Sequence, residues 1–134
     1  MSKSPYLLDT SAVMTLLEDE DGAERVEMLL RDEEVLLPFM TLLEIYYIAL
    51  REHSEDIADI RYAMLKHSGA TILWDVDEPL LLTAGRLKAS YRLSLADALI
   101  AALAMRHQAV LVHKDPEMEA LADLLQLETL PYKK

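Results

Sequence analysis

Ser94-Leu95-Ala96-Asp97-Ala98-Leu99-Ile100-Ala101-Ala102-Leu103-Ala104, followed by Ala109-Val110-Leu111-Val112-His113-Lys114-Asp115-Pro116, decides the fold. The first part has helical spacing and is almost wholly apolar, and a helix that is apolar on every side is buried. The second part opens on a short apolar run without alternating polar residues, as in a strand covered on both faces. Three more runs of this kind lie upstream: Tyr6-Leu7-Leu8, Val35-Leu36-Leu37 and Thr71-Ile72-Leu73-Trp74. Leu127-Glu128-Thr129-Leu130 is a weaker fifth. Between them, helical spacing predicts helices over Ser11–Glu18, Gly22–Arg31, Phe39–His53, Glu55–His67, Glu78–Tyr91, Leu95–His107 and Pro116–Leu125. Strands that alternate with helices form a parallel sheet covered on both sides. The expected fold is therefore α/β, a three-layer α/β/α sandwich around a central parallel sheet of four or five strands. In such folds the functional site lies at the carboxyl ends of the strands.

The chain has 134 residues, enough for a single domain over 1–134 with its own core. A hydrophobic fraction of 52% excludes disorder. The absence of cysteine excludes a disulfide scaffold, a thiolate metal site and a cysteine nucleophile, and it fits a reducing compartment. No apolar run reaches the roughly 18 residues of a membrane span, and Met1 to Asp9 lacks the apolar length of a signal peptide. The expected location is cytoplasmic, with no membrane partner. Against 13 Lys and Arg stand 24 Asp and Glu, a net charge of -11. That argues against a passive nucleic-acid coat protein, which should be basic, although divalent cations can still mediate between carboxylates and phosphates. The run Glu18-Asp19-Glu20-Asp21 is most simply a solvated helix junction.

Four carboxylates are not required by the hydrophobic pattern. Asp9 follows the first apolar run, and taken alone it reads as a turn residue or helix N-cap. Glu44 is surrounded by Phe39, Met40, Leu42, Leu43, Ile45, Tyr46, Tyr47, Ile48 and Leu50. The expectation is a buried helix, in which an unpaired carboxylate costs on the order of several kcal/mol. Glu44 then needs a metal, an Arg or a proton, unless a narrow strip of the helix faces solvent. Asp97, three residues after Ser94, fits a capping box with Asp in place of Glu. Asp115 before Pro116 is an ordinary helix start.

The combination carries more than the parts. Asp9 and Asp115 end two strands of one sheet, and Asp97 opens a buried helix just before the second strand. Carboxylates gathered at one rim repel one another unless cations neutralise them. Hard oxygen ligands without His or Cys favour Mg²⁺ or Mn²⁺ over zinc. The histidines, His53, His67, His107 and His113, show no zinc-binding spacing and are expected at the surface or in loops.

Tyr6-Leu7-Leu8-Asp9-Thr10-Ser11-Ala12 resembles the opening of PIN domains, specifically of VapC-type toxin ribonucleases. So does Glu44 in a helix that begins near Pro38. Leu93 to Ala102 is similar to the third motif of that family, and Val112-His113-Lys114-Asp115-Pro116-Glu117-Met118 to its fourth. The resemblance spans essentially the whole chain. It implies a PIN-like fold and a Mg²⁺- or Mn²⁺-dependent endoribonuclease using one or two ions, the toxin of a toxin–antitoxin pair. It implies Asp9, Glu44, Asp97 and Asp115 as the catalytic, metal-holding quartet, with Ser11 and Thr10 as polar neighbours. It also implies an RNA substrate, a protein antitoxin and a homodimer. His113 stands where many members carry Thr, and Met118 where many carry Phe.

Arg86, Lys88 and Arg92, shortly before Asp97, and Lys114 beside Asp115 are candidates for phosphate contacts. Arg86 and Lys88 could equally solvate an exposed helix face. The apolar residues of Phe39 to Leu50, with Ile57, Ile60, Met64 and Leu65, exceed what one sheet face needs. They are expected to form a patch for a second copy or an antitoxin, unless they fill the core beneath Ile72 and Trp74. The main alternative function is a non-catalytic PIN-like interaction module, against which the four intact acids argue. A receiver-type signalling domain would need an acidic pair in the first loop, where this chain has one Asp. A haloacid-dehalogenase-type phosphatase would need Asp where Ser11 stands.

Overall fold

The computed structural model describes residues 3–133. The chain runs β1 (Tyr6–Leu8), α1 (Thr10–Leu17), α2 (Ala23–Asp32), β2 (Val35–Pro38), α3 (Phe39–Glu52) and α4 (Glu55–Lys66). It continues with β3 (Thr71–Leu73), α5 (Glu78–Ser90), α6 (Leu95–His107), β4 (Val110–His113), a 3₁₀ helix (Pro116–Leu121) and β5 (Leu127–Thr129). The strands lie in the order β3-β2-β1-β4-β5 and every neighbouring pair is parallel. This is the expected α/β/α sandwich, with five strands.

The two faces of the sheet follow from the period-two geometry of a strand. Leu7, Leu36 and Leu111 point into one core, packed with Leu80, Ala84 and Leu87 of α5 and Ala98, Ile100 and Leu103 of α6. Leu8, Leu37 and Val112 point into the other, with Ala12 and Val13 of α1, Val26 and Leu29 of α2, Leu42 and Ile45 of α3, and Leu65 of α4. Helix α6 is buried as expected, with Ala98 and every residue from Ile100 to Ala104 inside. Among the described residues no helix is long and apolar enough to cross a membrane.

Three local expectations are corrected. The helix expected over Pro116–Leu125 is a 3₁₀ turn that ends at Leu121. Its buried residues, Met118 and Leu121, are three apart and so eclipse in a three-residue turn, while Leu124 is exposed and lies in the irregular turns that follow. Strand β3 is an edge strand and only partly buried; Trp74, which follows it, is 53% exposed and lies under the Lys66 ammonium rather than in the core. The junction at Glu18–Asp21 is paired rather than merely solvated. Glu18 faces Arg61 at 3.2 Å and His53 at 3.6 Å, and Glu20 faces Lys133 at 2.8 Å and Lys114 at 3.3 Å. Gly22 closes this junction at φ +103, with the C-terminal segment so near that a Cβ would lie 3.2 Å from Pro131 Cδ.

Leu111 on β4 is fully buried, whereas Leu81 on α5 is mostly exposed. Leu111→Ala is expected to cost about 2–5 kcal/mol in urea unfolding. Leu81→Ala is expected to stay within about 0.5 kcal/mol of the parent. Equal losses would mean that the core is not where β4 places it.

Candidate active site

From β1 the chain builds β2 and β3 to one side, and β4 and β5 to the other. The order reverses between β1 and β4, and the crevice at the carboxyl ends of two such strands is where α/β sheets bind ligands. Asp9 is the first residue past β1, and its N–H donates to the Val112 carbonyl of β4 at 3.2 Å. Asp115 lies two residues past the end of β4. Asp97 sits in the first turn of α6, whose N-terminus Ser94 caps by accepting the Asp97 N–H at 3.1 Å. Helix α3 starts directly after β2, and the Thr41 hydroxyl ties it to the Leu8 carbonyl at 3.3 Å. One turn further on, Glu44 accepts the Thr10 hydroxyl at 2.5 Å.

Asp9 is the most constrained of these groups. Only 1% of it is exposed. Its Oδ1 accepts the Ala12 N–H at 2.8 Å, as the N-cap of α1, and the Ser11 hydroxyl at 2.7 Å. Burial nevertheless dominates and pushes its pKa up to about 7. The two hydrogen bonds pull the other way, and the charges of Asp97 and Asp115 add to the rise. Asp97 is raised as well, first by burial and then by Asp115, Glu44 and Glu117, with the Ser94 hydroxyl opposing.

Asp97 thus feels the charges of Asp115 and Glu44, and Asp9 those of Asp97 and Asp115. The four acids do not form a closed cage: among the described residues no three Asp, Glu or His side chains are grouped to hold one ion. Three of the acids are instead held by donors of their own. Thr10 holds Glu44, Ser11 and Ala12 hold Asp9, and the Glu117 N–H at 3.0 Å holds Asp115. The donor set fits Mg²⁺ or Mn²⁺ chemically. It is all oxygen, and a buried carboxylate that must otherwise carry a proton gains most from a cation.

Several site residues stand differently from expectation. Glu44 is half-buried, because the apolar wheel around it includes Leu43, Tyr47 and Leu50, which face outward. His113, expected near the surface, is completely buried. Its Nδ1 accepts the Asp115 N–H at 3.1 Å, and its Nε2 lies 3.3 Å from Glu119 Oε1. Burial lowers its pKa, against the opposing charges of Glu119 and Asp115. Lys114 is committed to Glu20 and the Asp21 carbonyl, and its N–H donates to Ser11 Oγ at 2.9 Å. Lys88 donates to the Leu93 carbonyl at 2.9 Å. Arg86 and Arg92 are exposed and make no ion pair among the described residues. Glu117, which acts on Asp97, was missed by sequence reasoning; its signal was a second acid two residues after Asp115.

The raised pKa of Asp9 has a consequence for metal-free protein. A carboxyl whose folded value lies near 7 stabilises the fold below its unfolded value near 4, and that stability is lost as pH rises toward and through 7. The difference of roughly 3 units is on the order of 4 kcal/mol. In EDTA, the melting temperature is expected to fall between pH 5 and pH 8. Asp9→Asn should flatten that slope and melt higher than the parent at pH 8. Parallel slopes for the two proteins would show that Asp9 is not the group responsible.

The sequence profile of the PIN domain family matches residues 6–124. No match was found among curated proteins. Among solved structures, the chain is similar to one in VapBC2 from Rickettsia felis bound to a promoter DNA fragment. The TM-score is 0.76 and the identity 18%, over 94% of this chain and 98% of that one. It is similar to a chain of VapBC-1 from nontypeable Haemophilus influenzae, with TM-score 0.73 and 23% identity over 92% and 96% of the two chains. It is also similar to a chain of a toxin–antitoxin complex from Klebsiella pneumoniae, with TM-score 0.69 and 19% identity over 96% and 99%.

Proposed function

This chain belongs to the PIN-domain family, and from that premise we propose that it is a divalent-metal-dependent endoribonuclease acting in the cytoplasm as the toxin of a toxin–antitoxin pair. The observation that carries the reading is the buried Asp9 carboxylate, set at the strand-order reversal within the fields of Asp97 and Asp115. The similar chains come from VapBC and toxin–antitoxin assemblies, which supports the partner.

Asp9, Asp97, Asp115 and Glu44 would hold one or two Mg²⁺ or Mn²⁺ ions. When bound, such an ion lowers the pKa of a water and stabilises charge on the scissile phosphate. The chain's own work is to present charge at a fixed place. Ser11 holds Asp9 by its hydroxyl and receives the Lys114 N–H, so one side chain aligns the ends of β1 and β4. Thr10 orients Glu44 across the gap to α3. Asp9 gives up its proton near neutral pH, so an ion can replace that proton under ordinary conditions.

Charge also selects the route of the RNA. A cleft of about 770 Å³ opens beside Ser11, but Glu18, Glu20 and Glu52 line it along with Lys114 and Lys133. Its acids oppose a phosphate chain. Arg86 on α5 and Arg92 before α6 are free of ion pairs among the described residues, and we assign the phosphate contacts to them. Lys88 and Lys114 brace the scaffold instead.

Partner binding draws on α3 and α4. Leu43, Tyr47 and Leu50 on α3, with Ile57, Ile60 and Met64 on α4, are exposed, while Leu65 belongs to the core. A hollow of about 440 Å³ lies between Leu16 and Leu17 of α1 and Ile57, Ile60 and Met64 of α4. We assign this apolar surface to association with an antitoxin segment or a second copy. An antitoxin arginine reaching the acids would pair with them and exclude the metal.

The purified protein is expected to cleave RNA in Mg²⁺ or Mn²⁺ and to stop in EDTA. Asp97→Asn should reduce cleavage to background while the protein stays folded. Undiminished cleavage by that variant would assign the activity to a contaminant. No cleavage of any RNA, combined with tight antitoxin binding, would favour the interaction-module reading. Light scattering at high micromolar concentration should show a dimer. A strict monomer that also fails to bind its antitoxin would remove the partner surface.

A further inference from the structure

We propose that His113 is a positioning residue for Asp115, acting through Nδ1 as the acceptor of the Asp115 backbone N–H. The inference rests on the reading of Asp115 as a metal-holding acid.

His113 ends β4 with its side chain fully buried. Its Nδ1 accepts the N–H of the residue two places on, at 3.1 Å. A neutral imidazole has one donor and one acceptor nitrogen. Accepting at Nδ1 therefore puts the ring proton on Nε2. That nitrogen lies 3.3 Å from both Glu119 Oε1 and Thr129 Oγ1. Glu119 is itself fixed, because the Thr129 hydroxyl and the Tyr132 hydroxyl, at 3.1 Å, both donate to the same Oε1. The ring is thus pinned between the turn after β4 and a cluster spanning the 3₁₀ helix, β5 and the C-terminal segment. Its orientation and its tautomer follow from the same contacts.

Asp115 is held at three points. Its N–H is taken by His113, its Oδ1 accepts the Glu117 N–H at 3.0 Å, and its carbonyl accepts the Met118 N–H at 3.0 Å. The preceding N–H, of Lys114, goes to Ser11, which also bonds Asp9. Two consecutive amides of one turn are therefore held by two different side chains, which fixes Asp115 relative to Asp9. Without an acceptor at the Nδ1 position, the Asp115 N–H loses its partner, and the turn is held only by its bonds to Ser11, Glu117 and Met118 and can shift. The carboxylate then no longer keeps its place at the rim.

Asparagine and glutamine separate this role from simple core filling. Asn Oδ1 can stand near the place of Nδ1, whereas Gln Nε2 can stand near the place of the ring Nε2 and leaves the Nδ1 position empty. In the full-length protein, Mn²⁺ affinity measured by calorimetry at fixed pH is expected to stay within about threefold for His113→Asn and to fall about 10- to 100-fold for His113→Gln. For RNA cleavage, kcat should follow the same order while KM stays level. Urea stability should drop for both variants and should not track Mn²⁺ affinity. Equal Mn²⁺ binding by the Gln variant and the parent would overturn the inference while leaving the metal reading intact. So would a loss of affinity proportional to the loss of stability. A parent protein that binds no Mn²⁺ would overturn the metal reading and this inference with it.

Discussion

A carboxylate with almost no exposure stands just past the end of the central strand β1, at the start of α1, and much of the site is organised around it. Asp9 caps α1 and takes the Ser11 hydroxyl, yet these bonds do not repay its loss of water, and its pKa stays high. A group in that state needs a proton or a cation. The fold supplies more negative charge instead, from Asp97 and Asp115. An arrangement that is costly when empty is well suited to binding a cation, because the ion relieves the repulsion that the fold has accumulated. Destabilisation of this kind is expected at functional sites.

The polar residues around the acids form a scaffold for this charge. Ser11 joins the ends of β1 and β4, Thr10 joins α1 to α3, and His113 joins β4 to the Glu119 cluster. Lysines that might have neutralised the acids are drawn away. Lys114 reaches to Glu20, and Lys88 to a backbone carbonyl. With a net charge of -11, the protein has few cations of its own to set against these acids.

Much of this was legible in the sequence because it rests on chain order and period. The non-alternating runs at Tyr6, Val35 and Ala109 could be read as buried parallel strands, and acids just past two of them had to meet at one rim. Contacts across the fold were not legible. Nothing local shows that His113 is turned inward, since its partners Glu119 and Thr129 come from later elements. The apolar wheel around Glu44 suggested burial, because apolar residues kept for the surface look the same in sequence as core residues. Lys114 looked available because its partner Glu20 is far away in the chain. The helix after Pro116 was overextended because 3.0 and 3.6 residue periods coincide over a single turn.

The central claim is that the buried Asp9 carboxylate exchanges a proton for a divalent cation. Carbon-13 NMR of the Asp9 carboxyl group, titrated in EDTA and again in excess Mg²⁺, tests it most directly. The account predicts titration at about 7 in EDTA and a shift down to the ordinary aspartate range, or below, when Mg²⁺ is present. A carboxyl that titrates at its ordinary value in EDTA, or whose titration Mg²⁺ leaves unmoved, would contradict it.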